Sequence, residues 1–248
     1  MENKKYTSLR DIARELGVSV ATVSRALHGS KEISREMRER VQLLAKQMNY
    51  RPNPFAMSLR HNAPHTIGVM MPDIVTHFYA SILKGIEETA VSNDYFVIIT
   101  SSNESFEHEK RNLENLANLR VEGIIACLSQ ETTDYSRFLA LKDIGLPLVF
   151  FDRVCLTDQF SSVIADGDLS AQVATQHLID SGSRRIAFIG GANHLDIVKR
   201  RKHGYLEALR QNGMAIEPEL VECRKIDYDE GKIATEKLLA LSNPPDAI

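Results

Sequence analysis

The stretch SLRDIARELGVSVATVSRALHGS, residues 8–30, decides the fold of the N-terminal part of the chain. Its apolar residues recur at helical spacing up to Leu16, and Gly17 then supplies a turn that a larger residue would strain. A second short helix follows Ser19, which can cap it as Ser8 caps the first. Two short helices joined by a tight turn predict a helix-turn-helix, in which the second helix enters the major groove of DNA.

The second helix of this motif carries the candidate DNA contacts. Val23 and Leu27 are expected to face inward with Val18, and the outer face then carries Val20, Ala21, Thr22, Ser24 and Arg25. The fork of an arginine matches O6 and N7 of guanine, and small apolar side chains suit the methyl group of thymine. The alternative is an ordinary helical hairpin. We expect base contacts from Val20, Ala21 and Arg25, and phosphate contacts from Ser19, Thr22 and Ser24.

Charge separates the first 62 residues from the rest of the chain. They carry 12 Lys and Arg against 6 Asp and Glu, a net charge of +6, whereas the whole chain of 248 residues has a net charge of −3. A basic segment of this size attracts the phosphates of nucleic acid. The charge pattern therefore favours DNA binding by a basic head that is attached to an acidic body.

Apolar runs alternate with helical stretches along the rest of the chain. The runs TIGVMMP, YFVIITS, EGIIACL and LPLVFFD are separated by helical stretches at 78–92, 105–119 and 135–144. Short, continuous runs rich in β-branched residues predict strands that are buried on both faces, and the alternation predicts a parallel α/β sheet. A second series begins with SSVIAD at residue 161 and includes RRIAFIGG and LVECRK.

Several other classes of protein lack support in the sequence. No apolar run approaches the ~18 residues that cross a membrane, and the N-terminus lacks the apolar core of a signal peptide. Cys127, Cys155 and Cys223 indicate no disulfide framework, and the spacing of His and Cys indicates no metal site. The loop IGGA at 189–192 lacks the G-x-G-x-x-G of a nucleotide turn. We therefore expect a cytoplasmic protein that is not an enzyme, without catalytic residues, cofactor or metal.

Ordered motifs run along the whole chain. In the head they are LRDIA at 9–13, GVSVATVSR at 17–25 and YRPN at 50–53. In the body they include EGII at 122–125, FDR at 151–153, RIAFIGG at 185–191 and RKHGY at 201–205. With these motifs the chain resembles the lactose-repressor/galactose-repressor (LacI/GalR) family of bacterial transcription regulators.

The resemblance implies an α/β protein with a small all-α helix-turn-helix head and a periplasmic-binding-protein-like body, made of two parallel α/β lobes. It places the DNA-binding domain at 1–50, the hinge helix and linker at 51–63, and the effector-binding and dimerisation domain at 64–248. The first lobe then spans about 64–160 and the second about 161–248. Since family members continue with further strands and helices, we expect an incomplete second lobe, in a fragment or an incompletely recorded sequence.

The linker YRPNPFAMSLR, residues 50–60, is apolar for a tether. The resemblance implies that it folds into a hinge helix in the minor groove when two heads bind DNA. The expected hinge and minor-groove contacts are Asn53, Ala56 and Leu59. Leu59 would wedge between base pairs, and Ala56 would let two hinge helices approach each other. The alternatives are a plain tether and a Leu59 side chain that packs on the body.

The resemblance also implies an effector cleft between the two lobes. Open parallel sheets bind ligands beyond the carboxyl ends of their strands, where Asp73 and Asp152 fall. The family often places a ring against the ligand at the positions of Phe78 and Tyr79, and an arginine in the cleft at the position of Arg201. Alternatively, one of the rings packs at the start of its helix, Asp152 caps a turn, and the basic run around Arg201 is a solvated helix face.

These observations predict a sequence-specific transcription regulator, a repressor that responds to an effector. Its expected partners are a near-palindromic operator of double-stranded DNA, a second copy in a homodimer, and a small-molecule effector of the sugar or nucleoside class; no membrane partner is expected. The alternatives are a small-molecule binding protein of the periplasmic type and a regulator controlled by a partner protein. The basic head and the missing signal peptide argue against the periplasmic alternative.

Overall fold

The computed structural model describes residues 7–50 and 65–248. The chain divides into two compact units, Met1–Pro64 and His65–Ile248, which we call the head and the body. In the head, helix α1 spans Leu9–Leu16, α2 spans Val20–Leu27 and α3 spans Arg35–Gln47.

Local capping fixes the ends of the helices in the head. The carboxylate of Asp11 accepts a hydrogen bond from the Ser8 backbone N–H at 3.0 Å, and the Ser8 hydroxyl caps α1 in return. Gly17 ends α1 at a φ of +66°, in the left-handed region that favours glycine. Ser34 caps α3 as Ser19 caps α2. The helices close a core of the buried residues Ile12, Ala13, Val23, Ala26, Val41 and Ala45.

The first lobe of the body is a parallel sheet with helices on both faces. Its strands are β1 (Thr66–Met71), β2 (Phe96–Ser101), β3 (Gly123–Ala126), β4 (Leu148–Phe151) and β5 (Ser161–Val163), in the order β2-β1-β3-β4-β5. Its helices are α4 (His77–Ser92), α5 (Phe106–Asn118) and α6 (Ser136–Asp143).

The core of this lobe lies in two layers. Helices α5 and α6 bury Leu116 and Phe138 against Phe150 and its neighbours on one face of the sheet. Helix α4 packs on the other face, where Tyr79 contacts Phe151. The strands therefore alternate between two apolar layers, as expected of a parallel sheet that is covered on both sides.

Two sequence-based expectations about the strands are wrong. Strand β2 is not buried on both faces, because it lies at the edge of the sheet and leaves Phe96 66% and Ile99 45% exposed. Strand β5 pairs with β4, with Val149 opposite Ser161, and so belongs to the first lobe. The strands and helices of the second series therefore begin after Val163 and not with SSVIAD.

The second lobe is smaller. It consists of α7 (Gly167–Asp180), β6 (Phe188–Gly190), α8 (Asp196–Gln211), a 3₁₀ turn at Pro218–Leu220, β7 (Val221–Cys223) and α9 (Tyr228–Leu239). Strands β6 and β7 are parallel, and a parallel bridge joins Ile186 to Ala247. Helices α7 and α8 pack on each other next to β6.

Candidate DNA-binding surface and effector site

The outer face of α2 carries most of the predicted DNA contacts. Ser19, Val20, Ala21 and Arg25 are exposed, and Thr22 is partly exposed. Because Val23 and Ala26 are buried in the head core, the helix is fixed to its neighbours and presents these side chains together. The surface therefore has the composition of a recognition helix, with a guanidinium, two hydroxyls and two small apolar side chains.

Ser24 is the exception. Its residue is only 3% exposed, so the expectation that it faces outward is wrong. The inward face of α2 is wider than the spacing of Val23 and Leu27 alone suggests, and it extends around the helix to Ser24. The Ser24 carbonyl also accepts a hydrogen bond from Nδ1 of His28 at 2.6 Å. Ser24 is therefore part of the packing of α2 and does not belong to its DNA-facing surface.

The hydroxyls at the start of α2 already form a capping pair. The Thr22 backbone N–H donates to the Ser19 hydroxyl at 3.0 Å, and the two hydroxyl oxygens lie 2.9 Å apart. Each hydroxyl has one proton to donate, and the bond between the two hydroxyls uses one of them, so the pair leaves one proton free to donate to a phosphate oxygen. At the end of α2, Nη1 of Arg25 lies 3.2 Å from Oε2 of Glu32.

The predicted hinge contacts Asn53, Ala56 and Leu59 lie outside the described residues. Their roles stay predictions.

At the carboxyl edge of the first sheet, Tyr79 and Asp152 lie together. The Tyr79 hydroxyl donates to Oδ2 of Asp152 at 3.2 Å, and Sγ of Cys127 lies 3.7 Å from the same hydroxyl. Burial raises the pKa of the Cys127 thiol to about 12, so this thiol stays protonated at neutral pH. Asp152 is held at a φ of +57°, directly after β4.

The two candidate rings have different environments. Tyr79 is 6% exposed and packs in the core beneath the edge of the sheet, whereas Phe78 is 52% exposed. Their ring centroids are 5.1 Å apart in an edge-to-face arrangement, so Tyr79 supports Phe78 from below. Packing therefore accounts for Tyr79, and Phe78 is the ring that is free to contact a ligand.

Asp73 is fixed by the loop that leads into α4. Its carboxylate accepts hydrogen bonds from the backbone N–H groups of Val75 at 2.8 Å and Thr76 at 3.1 Å. Both hydrogen bonds lower the pKa of the Asp73 carboxyl below its usual value, and the bond from Val75 has the larger effect. Asp73 therefore carries a negative charge at neutral pH and holds the loop in shape.

Arg201 lies on α8 in the second lobe, where Tyr205 of the same motif fixes the helix. The Tyr205 hydroxyl donates to the Ile186 carbonyl at 2.9 Å, and its ring stacks on Phe188 with centroids 5.3 Å apart. Arg201 lines a cavity of about 430 Å³ between α7, α8 and β6. The first-lobe candidates Asp73, Phe78 and Asp152 are absent from the lining of that cavity, so the convergence of all candidates in one cleft stays a prediction.

A chain of polar contacts that the sequence analysis missed joins the two lobes. Nη1 of Arg153 lies 2.7 Å from Oε2 of Glu104, which also accepts from the Gln130 backbone N–H at 2.7 Å. The side-chain carbonyl of Gln130 accepts from the Ile226 backbone N–H at 2.7 Å. The motif FDR contains Arg153, but no local pattern indicates its partner, because Glu104 lies 49 residues earlier in the sequence.

A second carboxylate supports the same loop. Glu109 is 1% exposed and accepts from the Ser129 backbone N–H and the Thr132 hydroxyl, both at 2.7 Å. Burial raises the pKa of the Glu109 carboxyl to about 7, against the opposing effect of these hydrogen bonds. The loop after β3 is therefore held by two acidic side chains from the start of α5 and the turn before it.

Two family models match the chain. The model described as "Periplasmic binding proteins and sugar binding domain of LacI family" matches residues 64–248, and "Bacterial regulatory proteins, lacI family" matches residues 8–53. The chain belongs to the LacI family. It is thus a regulator with a DNA-binding helix-turn-helix and the family's sugar-binding type of domain.

Known LacI-family proteins resemble it along most of its length. Catabolite control protein A of Priestia megaterium is 35% identical over 246 residues, which are 97% of this chain and 72% of that protein. The HTH-type transcriptional repressor CytR of Escherichia coli K12 is 29% identical over 97% of this chain and 70% of that protein.

Solved structures of LacI-family proteins share the fold. The complex of the regulator CelR with cellobiose matches with a TM-score of 0.65 and 29% identity, over 94% of this chain and 70% of that one. The Lac repressor dimer bound to operator and the anti-inducer ONPF matches with a TM-score of 0.70 and 25% identity, over 95% and 70% of the two chains.

In the described parts of the chain, no helix is both long and apolar enough to cross a membrane. Residues 7–50 and 65–248 also contain no group of three or more His, Cys, Asp or Glu arranged to hold a metal ion.

Proposed function

We propose that this LacI-family chain binds a near-palindromic operator as a homodimer, and that a sugar or nucleoside between the lobes of the body controls this binding. The role is regulatory and not catalytic. The observation that carries the proposal is the outer face of α2. The buried core of the head holds this helix in place, and Arg25 is exposed near its end.

The base contacts are assigned to Val20, Ala21 and Arg25, and the phosphate contacts to Ser19 and Thr22. The exposure of these side chains and the fixed position of α2 support the assignment. Each bidentate pair between an arginine and guanine contributes about 1–3 kcal/mol of discrimination against the wrong base. Arg25 is therefore expected to dominate sequence preference in each half-site.

A dimer is supported by exposed apolar side chains at one edge of the first lobe. Phe96 and Ile99 on β2 are exposed, as is Val91 at the end of α4, which is 64% exposed. Strand β2 is one of the two edge strands of its sheet. Exposed apolar side chains on and beside an edge strand are typical of a surface that another chain covers. The Lac repressor, a related protein, was solved as a dimer on its operator.

For the effector, the proposal assigns Asp73, Phe78 and Asp152 from the first lobe and Arg201 from the second. Charged acceptors and donors suit the hydroxyls of a polyhydroxylated ligand, and an exposed ring suits its apolar face. The related regulator CelR was solved with cellobiose, and this supports a carbohydrate class. The Tyr79 hydroxyl donates its hydrogen bond to the Asp152 carboxylate, so Tyr79 acts in this site by positioning that carboxylate.

Binding-site selection from random duplexes tests the proposal. The parent chain is expected to select a two-fold symmetric sequence, and added sugars or nucleosides are expected to change its affinity for that sequence. Arg25→Ala should weaken binding to the selected site by about 1–3 kcal/mol and relax the preference at one position per half-site. If the Arg25→Ala protein keeps the full guanine preference at every position, the assignment of Arg25 is wrong.

A further inference from the structure

The ion pair between Arg25 and Glu32 joins the recognition helix to the loop that follows it. Nη1 of Arg25 lies 3.2 Å from Oε2 of Glu32, and the two side chains are 55% and 72% exposed. By contrast, the pairs Arg14–Asp11 and Arg35–Glu39 each lie within one helix of the head. Glu32 thus places a negative charge beside the arginine to which we assign base recognition.

The backbone around Glu32 is held in place. Gly29 turns the chain after α2 at a φ of +71°, and the Ser30 backbone N–H then donates to the Arg25 carbonyl at 3.0 Å. Directly after Glu32, the side chain of Ile33 packs against the buried core of the head. The carboxylate is therefore presented to Arg25 by a fixed turn.

The geometry leaves most of the guanidinium free. Arginine has five N–H donors in a planar fork, and Glu32 engages the fork at Nη1. A guanine base needs two donors from one edge of the fork, so Arg25 can bind guanine while Glu32 holds the opposite side. In this arrangement the exposed ion pair favours one placement of the guanidinium before DNA binds.

The pairing of Glu32 with Arg25 acts differently on base contacts and on phosphate contacts of that arginine. A phosphate competes with the carboxylate for the charge of the guanidinium, whereas guanine offers neutral acceptors to the donors that Glu32 leaves free. Non-specific binding depends on phosphate contacts almost entirely, and specific binding adds contacts with the bases. Through Arg25, Glu32 therefore weakens non-specific binding more than specific binding.

We infer that Glu32 is a specificity-determining residue of the head: it positions Arg25 for a guanine and opposes the use of Arg25 as a phosphate contact. The inference rests on the proposed function, because it requires that Arg25 reads a base.

The test compares binding of the selected operator and of a scrambled duplex of equal length, by fluorescence anisotropy over a range of salt concentrations. Glu32→Gln keeps the shape of the side chain and removes its charge. We expect this variant to lower the ratio of specific to non-specific affinity about two- to fivefold, the scale of an exposed ion pair. The ratio should fall because the variant binds the scrambled duplex more tightly. For that duplex, the slope of log affinity against log salt concentration should become steeper by up to about 0.9.

Two further variants separate this role from a simple change in net charge. Glu39→Gln removes the same charge from α3, where Glu39 pairs with Arg35 at 2.9 Å, and is expected to leave the ratio unchanged. In an Arg25→Ala background, Glu32→Gln should also leave the ratio unchanged. An unaltered ratio in Glu32→Gln, an equal fall in Glu39→Gln, or a fall that persists without Arg25 would each overturn the inference.

The same experiment distinguishes the inference from the proposed function. If the parent chain selects no sequence at all, both are wrong. If the parent chain selects an operator through Arg25 but Glu32→Gln leaves the ratio unchanged, the proposed function stands and Glu32 has no role in specificity.

Discussion

Replacement of Gly204 by alanine is expected to destabilise the second lobe. A Cβ atom at this position would lie 2.1 Å from the backbone carbonyl oxygen of Asp168 on α7 and 3.1 Å from Cβ of Ala171. Ordinary contacts are 3.4–4 Å long, so α7 and α8 would have to separate by more than an ångström. The obstacle is backbone, which cannot rotate away as a flexible side chain could.

Two opposing effects determine how much Gly204→Ala lowers the free energy of unfolding. Overpacking of a well-packed site typically costs about 1–3 kcal/mol, whereas alanine in place of glycine in a helix contributes about 1 kcal/mol in its favour. Because the overlap is with a helix backbone, we expect the upper part of the cost and a net loss of about 1–2 kcal/mol in the free energy of unfolding. For a domain of this size the melting temperature should fall by roughly 2–8 °C.

Urea unfolding followed by circular dichroism measures the loss, and Gly231→Ala is the matched control. Gly231 lies within α9 and has no atom within 4 Å of an added Cβ, so this substitution should stabilise the protein by about 0.5–1 kcal/mol. If Gly204→Ala unfolds at the same urea concentration as the parent or at a higher one, the close packing of α7 against α8 is refuted.

Two other predictions concern a buried carboxylate and the hinge. The pKa of Glu109 is raised to about 7 from an ordinary 4.5, so the folded state holds a proton that the unfolded state releases. This raised pKa contributes to the free energy of unfolding below pH 4.5. The contribution, about 1–3 kcal/mol, is lost as the pH rises to about 7. Urea midpoints between pH 5 and pH 8 should show this loss in the parent and a smaller one in Glu109→Gln; equal losses would contradict the assignment. Leu59→Ala should leave folding and dimerisation intact but weaken specific DNA binding and reduce the bend measured by gel permutation. An unchanged bend with a lower melting temperature would instead place Leu59 in packing.

Local chemistry made the head predictable from its sequence. The caps at Ser8, Ser19 and Ser34 and the left-handed turn at Gly17 each depend on residues within one turn of a helix. The alternation of apolar runs and helical stretches likewise predicts the strands and helices of the body, because buried parallel strands have continuous apolar sequences.

Contacts between distant parts of the chain were not predictable in the same way. Periodicity locates Ser161–Val163 as a strand but does not say which sheet it joins, and the backbone pairing with β4 decides that. The width of the buried face of α2, which includes Ser24, depends on how α1 and α3 pack around it. For the candidate site, the sequence placed Asp73 and Asp152 beyond the carboxyl ends of strands and both rings at the start of a helix. It did not distinguish the exposed Phe78 from the buried Tyr79.

The contact between Gln130 and Ile226 bears on how an effector could act on this protein. It joins the loop after β3 in the first lobe to the loop after β7 in the second, across 96 residues of sequence. An ion pair between Nζ of Lys225 and Oε1 of Glu131, 3.6 Å apart, joins the same two loops. A movement that separates these loops would break the hydrogen bond, whose net contribution is about 0.5–1.5 kcal/mol, and the exposed ion pair, which adds about 0–1 kcal/mol. Coupling between sites in allosteric proteins is typically 1–3 kcal/mol. The two contacts together are therefore of the same size as the difference in affinity by which an effector shifts such an equilibrium.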